Sequence, residues 1–180
     1  MTDERPDLTA LITARPASAG QKYCLFVRGD WDFGVDVLSA REVLTGEPLT
    51  RVPQAPPLLA GVINLRGDVL PLVQLEGLFG FPNRPYTLND HVLVLSSDGV
   101  DIGLIVDRVR EVRAIEPAEV VQFAGPTHDL LRGCCLDSTR VLHIVDGGRI
   151  VATALAAVKE RFKWRVSTAD PAEPIGPRMG

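Results

Sequence analysis

Apolar and polar residues alternate from Trp31 through Phe33, Val35 and Val37, with Asp32, Gly34 and Asp36 between them. A period of two predicts a strand with one buried face. Residues 23–27 precede it across Arg28-Gly29-Asp30, which predicts a hairpin. Residues 92–95 and 100–106 flank Asp98-Gly99, a dipeptide suited to a two-residue hairpin turn. A third hairpin is predicted in residues 58–75, LLAGVINLRGDVLPLVQL. Its second arm, with Val69, Leu70, Leu72, Val73 and Leu75, is apolar enough to be covered on both faces, and Gly67-Asp68 supplies turn chemistry. A turn does not require arginine, so Arg66 in the tetrad Asn64-Leu65-Arg66-Gly67 needs another explanation. Near the C-terminus the period changes: Val151, Leu155, Val158 and Phe162 share one face of a predicted helix, rich in alanine and set off from the preceding strand by Gly147-Gly148.

Two stretches of the chain echo two others. FGVDVLSAREV at 33–43 and IGLIVDRVREV at 102–112 are identical at five of eleven positions. Farther on, Leu58, Leu59, Gly61, Val69, Leu70 and Val73 recur in order as Leu130, Leu131, Gly133, Val141, Leu142 and Val145. Two echoes in sequence predict twin β lobes related by an internal repeat. The tetrad has no echo, because Leu136-Asp137-Ser138-Thr139 stands in its place.

Composition narrows the function. The chain has 180 residues, 46% of them hydrophobic, enough for a globular core. Residues 21–165 are expected to form one domain, and residues 1–20 and 166–180, rich in Pro, Ala, Ser, Gly and charge, to be flexible tails. A net charge of −4 gives no basic footprint for nucleic acid. The cluster Lys159, Arg161, Lys163 and Arg165 reads as the charged end of the helix. The acidic, proline-containing start does not resemble a signal peptide, and no apolar run approaches the roughly 20 residues that cross a bilayer. Three cysteines, Cys24, Cys134 and Cys135, suit a reducing cytoplasm.

Catalytic constellations are not evident. Cys134 or Cys135 could offer a thiolate to His128 or His143, but adjacent strand residues face opposite ways, so at most one could join a site. The plainer reading is small hydrophobes in a strand. His91, His128 and His143 lack carboxylates at ligand spacing, so no metal is expected. No phosphate loop or dinucleotide fingerprint is present.

The motifs at 33–43, 49–75 and 102–112, in this order and spacing, resemble the CheW family of chemotaxis coupling proteins. The resemblance implies a mainly β fold of two interlocked five-stranded, SH3-like barrels with a C-terminal helix. It also implies a non-catalytic, cofactor-free cytoplasmic adaptor between chemoreceptor tips and a CheA-type histidine kinase, recruited to membrane-associated arrays without inserting into the bilayer. By motif position, Val37, Ala40, Glu42, Val43 and Val112 fall on the family's receptor groove. Glu42 and Arg66 are expected to pair and fix its shape. Leu49, Arg51 and Val69 fall on its kinase face, at an end of the first lobe. Gln74 and Glu76 stand where Asp and Arg are usual, which implies altered charge near that face. A regulatory or competing adaptor in another chemosensory pathway would have the same motifs, and a thiol enzyme using Cys134 or Cys135 is the alternative of another class.

Overall fold

The computed structural model describes residues 20–123 and 129–166, with side chains through residue 160. Residues 1–19 and 167–180 of the expected tails, His128 and the side chains of Arg161, Phe162, Lys163 and Arg165 lie outside the described residues, and Val166, expected in a tail, ends the C-terminal helix. The first half contributes β1 (Gln21–Arg28), β2 (Trp31–Asp36), β3 (Ala40–Thr45), β4 (Leu59–Leu65), β5 (Asp68–Gln74) and the short helix α1 (Leu75–Phe79). The second contributes β6 (His91–Ser97), β7 (Val100–Val106), β8 (Arg108–Ile115), β9 (Val121–Gln122), β10 (Leu131–Asp137), β11 (Arg140–Val145) and the helix α2 (Gly147–Val166).

The strands form two sheets, ordered β8-β1-β2-β11-β10-β9 and β3-β6-β7-β5-β4. Each lobe therefore takes two strands from one half of the chain and three or more from the other. The echo is a repeat in space, yet a lobe is not a half: the halves are interlocked. The halves pair antiparallel at β1–β8 and β3–β6 and parallel at β11–β2 and β5–β7, and the two parallel seams share one register. Ile144 lies opposite Gly34 in the first seam, and Leu72 opposite Gly103 in the second.

That register explains the glycine in each echo. A Cβ on Gly103 would come within 2.4 Å of Leu72 Cδ2 and 2.6 Å of Val92 Cγ1; on Gly34 it would meet Ile144 Cδ1 and Leu25 Cδ2 at 3.2 Å. The incoming strand's large side chain occupies the space a side chain would need. The second glycine pair, Gly61 and Gly133, sits at equivalent bulges in β4 and β10, where the carbonyl of Thr50 or of Val121 would lie 2.4 Å from a Cβ.

Three apolar clusters follow from this arrangement. One fills each lobe, with Leu70 and Leu72 in one and Leu142 and Ile144 in the other. The third lies between the sheets, joining Phe26, Phe33 and Val35 to Val43, Leu93, Leu95 and Leu104. Ile150, Val151 and Ala154 of α2 close it, with Leu155 packed at its margin. Gly147, expected as a separator, instead opens α2, because the helix begins against Ser39 and a Cβ there would lie 2.6 Å from the Ser39 Cβ.

Two expectations from periodicity are corrected. The polar face of β2 is buried: Asp32 is 2% exposed and paired with Arg110 at 3.0 Å and Arg140 at 2.6 Å. β2 is an interior strand, so both its faces are covered, and the aspartate is compensated by ion pairs in place of water. The repeat supplies an equivalent pair, Arg41 with Asp101, in the other sheet. Conversely, β5 is not covered throughout. Val69 is 71% exposed, since β7 pairs with β5 only at Leu72, Val73 and Gln74.

Gly103→Ala should lower the unfolding free energy by about 1–3 kcal/mol through overpacking. Gly34→Ala, with looser contacts, should cost less, and urea denaturation of both variants measures the order.

Candidate partner-binding site

The expected groove residues come from three elements. Val37 lies in the turn between β2 and β3, where its carbonyl accepts a hydrogen bond from the Ala40 N–H at 3.1 Å. Val43 and Val112 are equivalents under the repeat and lie on β3 and β8, the outer strands of the two sheets. All four apolar residues join the inter-sheet cluster, but not equally. Ala40 and Val43 are core residues at 8% and 7% exposure, whereas Val37 and Val112 are half-buried at its margin. Both β3 and β8 are edge strands, with no neighbouring strand on one side in their sheets.

Glu42 and Arg66 meet, with Arg66 Nη2 donating to Glu42 Oε2 at 2.8 Å. The arginine side chain is 76% exposed, so this is a surface pair worth no more than about 1 kcal/mol to folding. Arg66 is also a turn residue, contrary to the reading that set it apart from the turn. Arg66 and Gly67 are the two central residues of the β4–β5 hairpin, with φ of 54° and 98°, and Asp68 is already paired with Leu65. Asn64 Oδ1 accepts from the Gly67 N–H at 2.9 Å and braces the turn. Ser138 takes the same place in the β10–β11 hairpin at φ 57°. The bend thus tolerates several side chains, and this one reaches β3.

The residues expected at a kinase face lie along the β4 margin of the sheet whose opposite edge is β3. Leu49 is half-buried against the lobe interior, and Arg51 and Val69 are exposed. Between Leu49 and Arg51, Thr50 exchanges backbone hydrogen bonds with Val62 of β4 at 2.9 and 2.8 Å. Val69 pairs with Asn64, so its side chain stands at the hairpin end of the same margin.

A second polar cluster went unread in the sequence. Arg28, 3% exposed, donates through Nε to Glu76 Oε1 at 2.6 Å and through Nη1 to Asp107 Oδ1 at 3.2 Å; Asp90 lies 3.6 Å away. Arg84 joins Asp90 at 2.9 Å and also pairs with Asp107. Five charges, 48 to 79 residues apart where Arg28 bonds Glu76 and Asp107, tie β1 to α1, to the segment before β6 and to the β7–β8 junction. Glu76 is therefore an internal partner, 12% exposed, and Gln74 is buried. The altered charge expected near the kinase face is turned inward. Beside this latch, His91 Nδ1 accepts from the Val109 N–H at 3.1 Å, which requires a neutral acceptor nitrogen, and burial holds its pKa below the usual imidazole value.

The thiols are poorly placed for chemistry. Burial pushes Cys24 up to about 12 and raises Cys135 as well, so both stay protonated. Cys134 lies opposite His143 in the β10–β11 ladder, but His143 Nδ1 faces the Asp32 carbonyl at 3.2 Å.

Comparison with known proteins places this arrangement. A family model described as the CheW-like domain matches residues 22–155. The chain belongs to that family. The matched span begins in β1 and ends at Leu155, the residue of α2 at the margin of the inter-sheet core, so it takes in both interlocked lobes of this CheW-like domain. A chemotaxis protein CheW from Rhizobium meliloti is 28% identical over 141 residues, covering 78% of this chain and 88% of the relative. Another from Klebsiella aerogenes is 29% identical over 103 residues, 57% of this chain and 62% of the relative. The chain thus spans somewhat under two thirds of that second protein. Among solved structures, the scaffolding protein TtCheW from Thermoanaerobacter tengcongensis superposes with a TM-score of 0.63 at 26% identity, covering 70% of this chain and 88% of that one. Among the described residues of this CheW-like domain, no helix is long and apolar enough to cross a membrane.

Arg28→Met should destabilise the domain by about 3–5 kcal/mol, because it strands buried carboxylates. Adding Glu76→Leu should recover part of that loss, a non-additivity that a double-mutant cycle in urea would measure. For His91, the unfolded chain binds the proton more readily than the folded one. Its contribution is therefore complete above the unfolded pKa of about 6.5 and is lost as pH falls through and below that value. The His91→Asn variant should show a flatter dependence of unfolding free energy between pH 7.5 and 5.5 (roughly the imidazole range).

Proposed function

We propose that this chain is a non-catalytic cytoplasmic adaptor that couples chemoreceptor tips to a CheA-type histidine kinase. The observation that carries the reading is the family match across the whole interlocked unit, residues 22–155. The receptor side is the margin between the sheets: Val37 and Val112 offer apolar contact, Ala40 and Val43 form the floor beneath, and the Glu42–Arg66 pair stands beside β3. A receptor tip is a helical hairpin, and a helix face seats in an apolar groove bordered by few polar groups. The kinase side is the opposite, β4 margin of the sheet that carries β3, with Leu49, Arg51 and the exposed Val69. Neither surface needs to bind tightly, since many weak contacts acting together in an array give avidity.

Catalysis is not part of this reading. Two of the three thiols have raised pKa values, and His143 is turned to a backbone carbonyl.

Co-sedimentation with receptor-containing membranes and a CheA-type kinase tests the proposal, and failure to bind both would contradict it. Arg66→Ala should weaken receptor co-sedimentation while changing stability by less than about 1 kcal/mol. Val69→Asp should weaken kinase binding and leave receptor binding intact. Kinase autophosphorylation with receptors, measured with and without this protein, separates a coupler, which raises it, from a competitor, which lowers it.

A further inference from the structure

Trp31 and Phe81 are 44% and 42% exposed, yet their rings stack 5.5 Å apart with 21° between planes. Phe79, Phe33 and His143 complete a closed circuit beneath them, each ring within 6.4 Å of the next. The pair is thus held rigidly from the core while its outer surface stays open. Beside it lies a pocket of about 370 Å³ lined by Asp30, Trp31, Arg140, Val141 and His143. The fold does not demand this patch, because the repeat puts Val100 where Trp31 stands. Neither aromatic belongs to the groove, the kinase margin or the latch.

A matching ligand is written in the same chain. Residues 170–177 read Asp-Pro-Ala-Glu-Pro-Ile-Gly-Pro, with Pro171, Pro174 and Pro177 every third residue and an acidic residue before the first two. A polyproline II turn contains three residues, so this spacing aligns the prolines along one edge, and aromatic-lined grooves receive such an edge. Arg140, at the pocket rim, already pairs with Asp32 through Nε and donates to the Asp30 carbonyl through Nη2, and its 54% exposed side chain leaves Nη1 to face the acidic residues. Reach is sufficient. α2 packs against α1, whose last residue Phe79 belongs to the aromatic circuit. The eight residues from 167 to Pro174, the central proline, could then span roughly 25 Å at about 3.1 Å each.

We propose that residues 170–177 dock on the Trp31–Phe81 surface of their own chain, with the prolines against the aromatic faces and the acidic residues beside Arg140. This inference is independent of the adaptor reading.

The test uses Trp31 fluorescence in the full chain carrying Trp164→Phe, which leaves one tryptophan. Removing residues 167–180 should shift the emission to the red and raise acrylamide quenching, because Trp31 loses its cover. Pro171→Ala, Pro174→Ala and Pro177→Ala together should reproduce the truncation, and a synthetic 167–180 peptide should restore protection saturably. Circular dichroism and thermal melting verify that the variants remain folded. Unchanged quenching on truncation, or a triple proline variant that behaves like the full chain, would overturn the proposal. Protection that disappears on dilution together with a dimer seen by sedimentation would overturn it as well, by assigning the patch to a second copy.

Discussion

The two parallel seams, β2 with β11 and β5 with β7, are the constraint on which the molecule depends. At each seam a strand from one half enters the sheet begun by the other, and its large side chain lies over a glycine: Ile144 over Gly34, Leu72 over Gly103. Close packing makes such positions intolerant of added volume. Because each lobe draws strands from both halves, neither lobe can be completed by the residues of one half. The inter-sheet cluster, closed by α2, then makes the two lobes one cooperative body.

The surfaces assigned to partners are consequences of this arrangement. Interlocking leaves β3 and β8 as the outer strands of their sheets, and it brings Val43 and Val112, repeat equivalents, to the inter-sheet cluster, Val43 in its core and Val112 at its margin. The two lobes nevertheless differ at their hairpins. One hairpin bends at Arg66 and reaches Glu42; the other bends at Ser138, too short to do so. Asp137 near that second bend is used differently, with hydrogen bonding from Arg113 at 2.6 Å holding its carboxyl below the usual range. Stability around the proposed receptor surface thus comes from buried packing, and the exposed Glu42–Arg66 pair adds little to folding.

Much of this was legible in the sequence, and the failures have physical reasons. Periodicity and turn residues gave the strands, and the echoes gave the repeat. The echoes could not give the exchange of strands, because two separate lobes and two interlocked lobes can carry the same repeat. Only the family resemblance implied interlocking. Alternation around Asp32 correctly predicted a strand but not its burial, since a polar residue facing water and one facing two arginines look the same in one dimension. Glycine and aspartate suffice for a turn in the sequence and so set Arg66 apart from it, whereas a positive φ of 54° accommodates arginine when its side chain is free to extend outward. The Arg28 latch left no local pattern at all. Its partners are distant in sequence, and Glu76 registered only as a departure from the family's usual residue.

Expressing residues 20–84 and 85–166 as separate polypeptides tests the interlocking most directly. Each fragment by itself should give the collapsed amide dispersion of an unfolded chain, and mixing them should produce the dispersed spectrum and cooperative unfolding of the intact domain. A native-like spectrum with cooperative unfolding from either fragment in isolation would contradict the account, because a half that folds by itself does not depend on strands from the other.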